Sequence, residues 1–420
     1  MINREILSKI LPWLGKEKIL ILKGARQVGK TTILNKIKEE VIKKNPDAIV
    51  VYLSADDIEN QPVFSSSLSL ELYLKQLYKF PEKYIYLLID EFQYINQAGL
   101  FLKNVFDKYK TNMQLIVSGS SSLEITKNIE FLTGRAIDFK IERVSFKEFF
   151  DYINNTKTER IPIDNYQKIE LFCKTFFLKI EPLFKEYLIY GGYPEVLITE
   201  GIENKKIILS SIIKTYIEKD IVNFLKIENV SGFNNLVKAL ASQIGNLVNI
   251  SELSNTVKVS INTLNKYLDI LTGTYIFNFV TPYTHNIRNE ISKMPKVYVL
   301  DSGIRNYLLR IFEFVDFSYG SVIENFVYLT MLSQYEKEYI HFYRTISGSE
   351  IDFVIEEENN RIILCEVKYV SRANTPLAIR NLSKKYPEKI YKEIIITKDL
   401  MKKDENVYFI PALILPFVKL

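Results

Sequence analysis

Two sets of residues have the types and spacing to do chemistry. The first begins at Gly24-Ala25-Arg26-Gln27-Val28-Gly29-Lys30-Thr31, with Thr32 following, which has the spacing G-x-x-x-x-G-K-[ST]. Glycines at such positions let backbone N–H groups converge on phosphate oxygens without side-chain obstruction, and Lys30 adds a point charge for the terminal phosphates. Thr31 offers a hydroxyl to Mg²⁺ and opens a helix whose N-terminal dipole favours the same anion. Sixty residues on, Asp90-Glu91 closes an apolar run; Asp90 is placed to hold Mg²⁺ through water, and Glu91 to polarise an attacking water as general base. Ser118, ahead of Gly119-Ser120, either senses the γ-phosphate and orients that water or is part of an ordinary Gly/Ser turn. Arg135, after Gly134, is either a finger toward the γ-phosphate of its own or a neighbouring subunit, or a surface ion-pair residue.

The second set lies in the last hundred residues. Asp352 precedes Glu366-Val367-Lys368 by fourteen positions, and a period of two places Glu366 and Lys368 on one face of a strand. Asp352 on the neighbouring strand can meet Glu366 to hold one Mg²⁺, Glu324 can add a carboxylate from a helix, and Lys368 can position water or neutralise a phosphate. Alternating charges on a solvated strand face would look the same.

Positioning these residues requires particular elements. Ile19–Leu22, Tyr84–Ile89 and Gln114–Ser118 are short apolar runs of the kind that form buried parallel strands, Ile137–Ile141 reads as another strand, and residues from Thr31 to about Lys44 read as a helix. Residues 145–230 have helical spacing and many aromatics. Ser251–Val257 and Ser260–Leu268 read as two short helices capped by Ser251 and Ser260, and strands near Tyr275–Val280 and Lys296–Leu300 follow them: a helix-turn-helix with a wing. Its second helix presents Asn262, Thr263, Asn265 and Lys266 to a DNA groove, or else to a protein neighbour. A helix over Ser321–Leu332, strands over Tyr339–Thr345, Glu350–Ile355 and Ile362–Val370, a helix over Leu377–Lys385, and strands over Glu393–Thr397 and Val407–Ile410 complete the chain.

Composition sets the limits. With 420 residues, 47% hydrophobic and 25% charged, the sequence has room for several folded domains and is neither disordered nor collagen-like. No apolar run approaches the ~18–20 residues of a membrane span, and the opening residues lack a secretory core, so the expected setting is the cytoplasm with no membrane partner. Two cysteines and two histidines exclude a disulfide framework or a Cys- or His-rich metal site. The net charge of +5 is unevenly spread: residues 301–360 hold 4 basic and 11 acidic side chains, and residues 371–403 hold 9 and 3. A polyanion lying on basic flanks beside a metal pocket would fit that distribution, as would solvated helix faces.

Gly24–Thr31, Asp90-Glu91, Ser118-Gly119-Ser120 and Gly134-Arg135, in that order, resemble an AAA+ ATPase, more narrowly the prokaryotic, especially archaeal, ATPases related to the STAND and origin-recognition groups. The resemblance implies ATP and Mg²⁺ as cofactors and ATP hydrolysis as the reaction. It also implies that Gly192 and Pro194 of Gly191-Gly192-Tyr193-Pro194 lie by the adenine or sensor region, and it finds a family signature in Lys219-Asp220. The C-terminal order of elements, with Asp352, Glu366 and Lys368, resembles the PD-(D/E)XK nuclease superfamily with its αβββαβ core; Ile351-Asp352 stands where the nominal Pro-Asp would be. The expected fold is therefore α/β: an AAA+ core over 1–150, a helical lid over 151–230, a winged helix over 231–318, and a nuclease-like domain over 319–420. The expected function is Mg-dependent ATP hydrolysis coupled to DNA binding or processing, with RNA left open by the same residues. The alternative is a nucleotide-dependent, self-assembling switch whose C-terminal domain binds DNA or protein without cleavage.

Overall fold

In the computed structural model, which describes residues 2–120, 130–216, 227, 229–283, 294–314, 319–345 and 348–420, the chain forms two compact units. The first is built on residues up to Val144; the second holds most of the chain from Ser145 onward.

The first unit is a five-stranded parallel sheet: β1 (Ile19–Lys23), β2 (Ile49–Ser54), β3 (Ile85–Asp90), β4 (Met113–Gly119) and β5 (Ala136–Lys140), in the order β2-β3-β4-β1-β5. Leu20, Ile21, Leu87, Leu88, Ile116 and Val117 are fully buried, as continuous apolar runs in a sheet covered on both faces must be. The helix Lys30–Lys44 turns Ile33, Leu34, Ile37 and Val41 inward, a three- and four-residue spacing that marks one helical face. Strand β4 lies between β1 and β3, with Leu22 opposite Ser118 and Ile89 opposite Val117. This order brings the ends of the three strands together at one edge.

The second unit begins with a capping box, in which the Ser145 hydroxyl accepts from the Glu148 N–H and the Glu148 carboxylate accepts from the Ser145 N–H, ahead of the helix Phe146–Ile153. A 25-residue helix, Tyr166–Tyr190, follows the short strand β6 (Ile161–Pro162). Phe184 packs edge-on against Phe326, Phe172 meets Phe417 at a tilt, and β6 pairs with β15 (Val418–Lys419) at the far end of the chain. Residues 145–214 and 276–420 thus share one unit, whose start at Ser145 lies close to the expected end of the first domain at 150. Lys219-Asp220 lie outside the described residues.

Helices Ile250–Val257 and Ile261–Gly273 occur where expected, followed by the antiparallel pair β7 (Phe277–Val280) and β8 (Lys296–Val299). The first helix is capped by Asn249, whose side chain accepts from the N–H groups of Ser251 and Glu252 at 3.1 and 3.2 Å, and not by Ser251. Ser260 does cap the second, accepting from Thr263 at 3.2 Å. Beyond the helix Gly320–Leu332 come β9 (Ile340–Arg344), β10 (Glu350–Glu357), β11 (Arg361–Val367), β12 (Ile390–Thr397), β13 (Lys402–Asp404) and β14 (Val407–Pro411). They form a mixed sheet in the order β13-β14-β12-β11-β10-β9, with β9, β10 and β11 antiparallel and β12 parallel to β11 after the helix Leu377–Lys385.

Candidate functional site

The loop after β1 is shaped by its backbone. A Cβ on Gly24 would stand 2.2 Å from the Ile141 carbonyl oxygen, so no side chain fits there, and Gly29 has φ +93° at the helix N-terminus. Ala25 and Val28 are buried, whereas Gln27 and Thr32 are exposed. Lys30 is 4% exposed and its ammonium donates to the carbonyls of Gly24 and Ala25 at 3.1 and 2.8 Å, which keeps it inside the curve of the loop. Arg26 reaches the Tyr94 hydroxyl at 3.5 Å, and Arg4 donates to the Val28 carbonyl at 2.9 Å from outside.

Asp90 is the hub of this edge. Its Oδ2 accepts from the Thr31 hydroxyl at 2.5 Å and the Tyr52 hydroxyl at 2.9 Å, and Oδ1 accepts from the Ser118 hydroxyl and from the Glu91 N–H at 3.1 Å. Burial and the Asp90 carboxylate push the Tyr52 phenol well above its ordinary range, so Tyr52 stays a donor. Glu91 has φ +52°, a left-handed turn that breaks the strand direction, and its carboxylate accepts from the Gln93 amide, which also reaches Ser120 at 3.1 Å. Lys30, Thr31, Asp90, Glu91 and Ser118 are thus gathered by β1, β3 and β4. Tyr52 and Gln93 are additional. Tyr52 comes from β2, whose pairing of Ser54 with Asp90 puts it alongside.

A hydroxyl beside a carboxylate is a hard-oxygen pair suited to Mg²⁺, so the Thr31–Asp90 side of this site fits the ion.

Arg135 is not at this edge. It immediately precedes β5, and its carbonyl accepts from the N–H of Ile19, at the start of β1. The loop leaves the other end of β1, five residues on, roughly 16 Å away at the rise of a strand. Its guanidinium is held by Asp107 at 2.7 and 3.0 Å. This overturns the expectation that Arg135 reaches the γ-phosphate of its own subunit. Gly192 and Pro194 lie in the second unit, where the Gly192 N–H donates to Asp301 at 2.8 Å and Pro194 opens the short helix Pro194–Ile198. Gly191 has φ +77°, and a Cβ there would strike the Asp301 carboxylate at 2.3 Å; the pair of glycines is accounted for by Asp301, which also caps the helix Ser302–Leu309.

In the second unit, β10, β11 and the helix Gly320–Leu332 bring Asp352, Glu366 and Glu324 into one cluster, joined by Glu350 and two lysines. Lys368 pairs with Glu366 at 2.7 Å. Lys296, from β8, is 2% exposed and stands 3.1 Å from Glu324, 2.6 Å from Glu350 and 3.5 Å from Asp352. Sequence reasoning placed Lys296 on a wing strand and missed it here; a lysine in an otherwise apolar strand was the available signal. Tyr298 donates to Glu324 at 2.7 Å. Asp352 accepts from the Val367 N–H at 2.8 Å, while Glu366 accepts from the Asp352 N–H at 3.2 Å. Burial and the neighbouring Asp352 carboxylate push Glu324 up to about 7, against the pull of Lys296 and Tyr298. Burial alone would lower Lys296, but Glu324 and Asp352 raise it, so the shared ammonium stays charged. Among the described residues no three acidic, His or Cys groups converge in a way that could hold a metal ion.

Residues 16–150 match a family model described as "AAA domain". Residues 181–314 and 319–415 match two models each described as a domain of unknown function (DUF8612 and DUF4143). The AAA match falls on the first unit and includes the loop Gly24–Thr31. The chain is 25% identical over 413 residues to an uncharacterized protein of Haemophilus influenzae, covering 96% of this chain and 95% of that one. It is 28% identical to one of Methanocaldococcus jannaschii, covering 94% and 84%. Among solved structures, the replication initiator DnaA bound to AMPPCP and single-stranded DNA is 17% identical, covering 65% of this chain and 90% of that one, with a TM-score of 0.28. AMPPCP-bound DnaA of Aquifex aeolicus is 18% identical, covering 64% and 86%, with a TM-score of 0.27. At scores this low the assignment rests on the AAA match and the sheet itself. No described helix is long and apolar enough to cross a membrane.

Proposed function

We propose that the chain is an ATPase whose nucleotide state governs binding of a nucleic acid, DNA in the first instance, by its second unit. The observation that carries the ATPase part is the Thr31 hydroxyl donating to Asp90 at 2.5 Å beside the buried Lys30, with Glu91 on the next residue. The backbone N–H groups of Gly24 to Thr32 cradle the phosphates, and Lys30 turns from the Gly24 and Ala25 carbonyls to a phosphate oxygen. Thr31 and Asp90 hold Mg²⁺, which when bound neutralises charge on the phosphates. Ser118 fixes Asp90 from β4 and Tyr52 fixes it from β2, so the carboxylate keeps one orientation. Glu91 takes the proton of the attacking water, with its carboxylate positioned by Gln93.

For the nucleic-acid part, Asn262, Asn265 and Lys266 are exposed on the second of two short consecutive helices ahead of β7, with Thr263 half-buried beside them. A self-assembling switch without cleavage is the second reading, favoured by Lys296 seated among the carboxylates of β10 and of the helix Gly320–Leu332. ATP turnover measured on Lys30→Ala tests the primary reading. The expected loss is on the order of 100-fold or more, the scale of removing one preorganised charge-stabilising group. Turnover equal to that of the unaltered chain would defeat it.

A further inference from the structure

We propose that the carboxylate cluster of the C-terminal sheet is the seat of the Lys296 ammonium in place of a divalent ion. On this reading β8 supplies the resident cation and the cluster works as an ionic clasp between the β7–β8 pair and the C-terminal sheet. The inference stands apart from ATP turnover, since none of its groups belongs to the P-loop unit.

The residues expected to ligate Mg²⁺ are committed elsewhere. Of the two oxygens of Asp352, one faces Lys296 at 3.5 Å and the other accepts the Val367 N–H at 2.8 Å. Those of Glu366 are taken by Lys368 at 2.7 Å and by the Asp352 N–H at 3.2 Å. One oxygen of Glu324 accepts from both Lys296 and Tyr298, and the other lies against Gly245, where a Cβ would stand 3.1 Å from it. A Mg²⁺ site needs several oxygens aimed at one point at about 2.1 Å, and these are aimed at an ammonium and at backbone donors.

Charge points the same way. Glu324, Glu350, Asp352 and Glu366 are four carboxylates, and Lys296, Lys368 and Arg344, which meets Glu350 at 3.2 Å, are three cations set directly on them. At most one formal negative charge remains for an added ion to answer. Lys296 is also held in place, with its ammonium 5.7 Å from the centre of the Phe342 ring. A lysine so enclosed and shared by three carboxylates is a fixed part of the fold. The acidic stretch of the sequence thereby gains a partner in the protein itself.

The test counts bound Mn²⁺ by electron paramagnetic resonance on the full chain without nucleotide, in an Asp90→Asn background that removes the carboxylate expected to hold Mg²⁺ in the P-loop unit. With Lys296 present, no Mn²⁺ dependent on Asp352 is expected at about 0.1 mM free ion, near the tight end of weak oxygen-ligated sites. Replacing the lysine by Lys296→Ala frees the carboxylates, and the expected result is one bound Mn²⁺ per chain that a further Asp352→Asn removes. Asp352-dependent Mn²⁺ in the chain that retains Lys296 overturns the proposal, as does a folded Lys296→Ala that gains no ion. Should Lys296→Ala fail to fold, Lys296→Met keeps the apolar stem and takes its place, and the Lys296-containing chain with and without Asp352→Asn decides alone.

Discussion

The P-loop edge and the C-terminal carboxylate cluster are both gatherings of acidic and basic side chains, but they are built in opposite ways. At the P-loop edge, most of the functional groups come from short contiguous stretches. Lys30 donates to the loop's own carbonyls at Gly24 and Ala25, contacts a phosphate could replace. In the cluster, the groups come from four separate elements, and each carboxylate oxygen with a partner meets a cation, a phenol or a backbone N–H. The lesson is that the same residue types make a reaction site or a structural clasp according to whether their donors and acceptors are already matched. Buried ion pairs matched in this way are strongly destabilised by removing one partner, whereas a site awaiting a ligand tolerates it.

The largest effect that would sharpen this contrast is on turnover. Glu91→Gln removes the proposed general base but keeps the size of the side chain and the contact with Gln93, so ATP binding should persist while hydrolysis falls by about 100-fold. A nucleotide-binding titration beside a phosphate-release assay separates the two. If binding and turnover fall together, Glu91 is part of the scaffold, and the P-loop edge resembles the cluster more than the contrast allows.

How much of each region was legible follows from the same difference. Gly24–Thr31 could be read because a phosphate loop is local: the need for glycine at Gly24 and Gly29 is met within eight residues, and the flanking strand and helix show their periodicity directly. Asp90-Glu91 could be read because it ends an apolar run. Tyr52 could not, since it reaches Asp90 only through the pairing of β2 with β3, and strand neighbours are set by three-dimensional order. Lys296 was hidden for a stronger reason. It sits in a segment whose local pattern reads as a wing strand, and its three carboxylates belong to β10 and to the helix Gly320–Leu332. The order of C-terminal elements was visible, because each helix and strand there has its own periodicity. The chemistry of the cluster depends on side-chain pairing between elements, which periodicity does not carry.

A smaller effect bears on the cluster through pH. Glu324 is pushed up to about 7 by burial and by Asp352, so the folded chain holds that proton more tightly than the unfolded chain, whose glutamate titrates near 4.5. Between those values the folded state binds more protons, and stability should fall as pH rises from about 4.5 to 7. Lys296 and Tyr298, which face Glu324, oppose the rise, and Asp352 reinforces it. Melting curves of the second unit across that window should slope downward in the unaltered chain, and the slope should be reduced in Glu324→Gln. Equal slopes would mean that Lys296 compensates Glu324 fully, making the clasp tighter than its geometry implies.

The smallest expected effect concerns Arg135, whose bidentate pair with Asp107 lies at the end of the sheet away from the loop. An exposed pair of this kind is screened by solvent and contributes little, so Arg135→Ala should barely move the melting temperature. The informative measurement is ATP turnover as a function of protein concentration. With the Arg135 backbone at the end of β1 roughly 16 Å along the strand direction from the loop and its guanidinium held by Asp107, a subunit acting alone has no use for it, and dilute Arg135→Ala should match the unaltered chain. If the unaltered chain gains turnover on concentration and Arg135→Ala does not, the arginine serves the loop of a second copy. The P-loop edge would then be the incomplete one of the two regions, finished by a neighbour, while the cluster is finished by a lysine of its own chain.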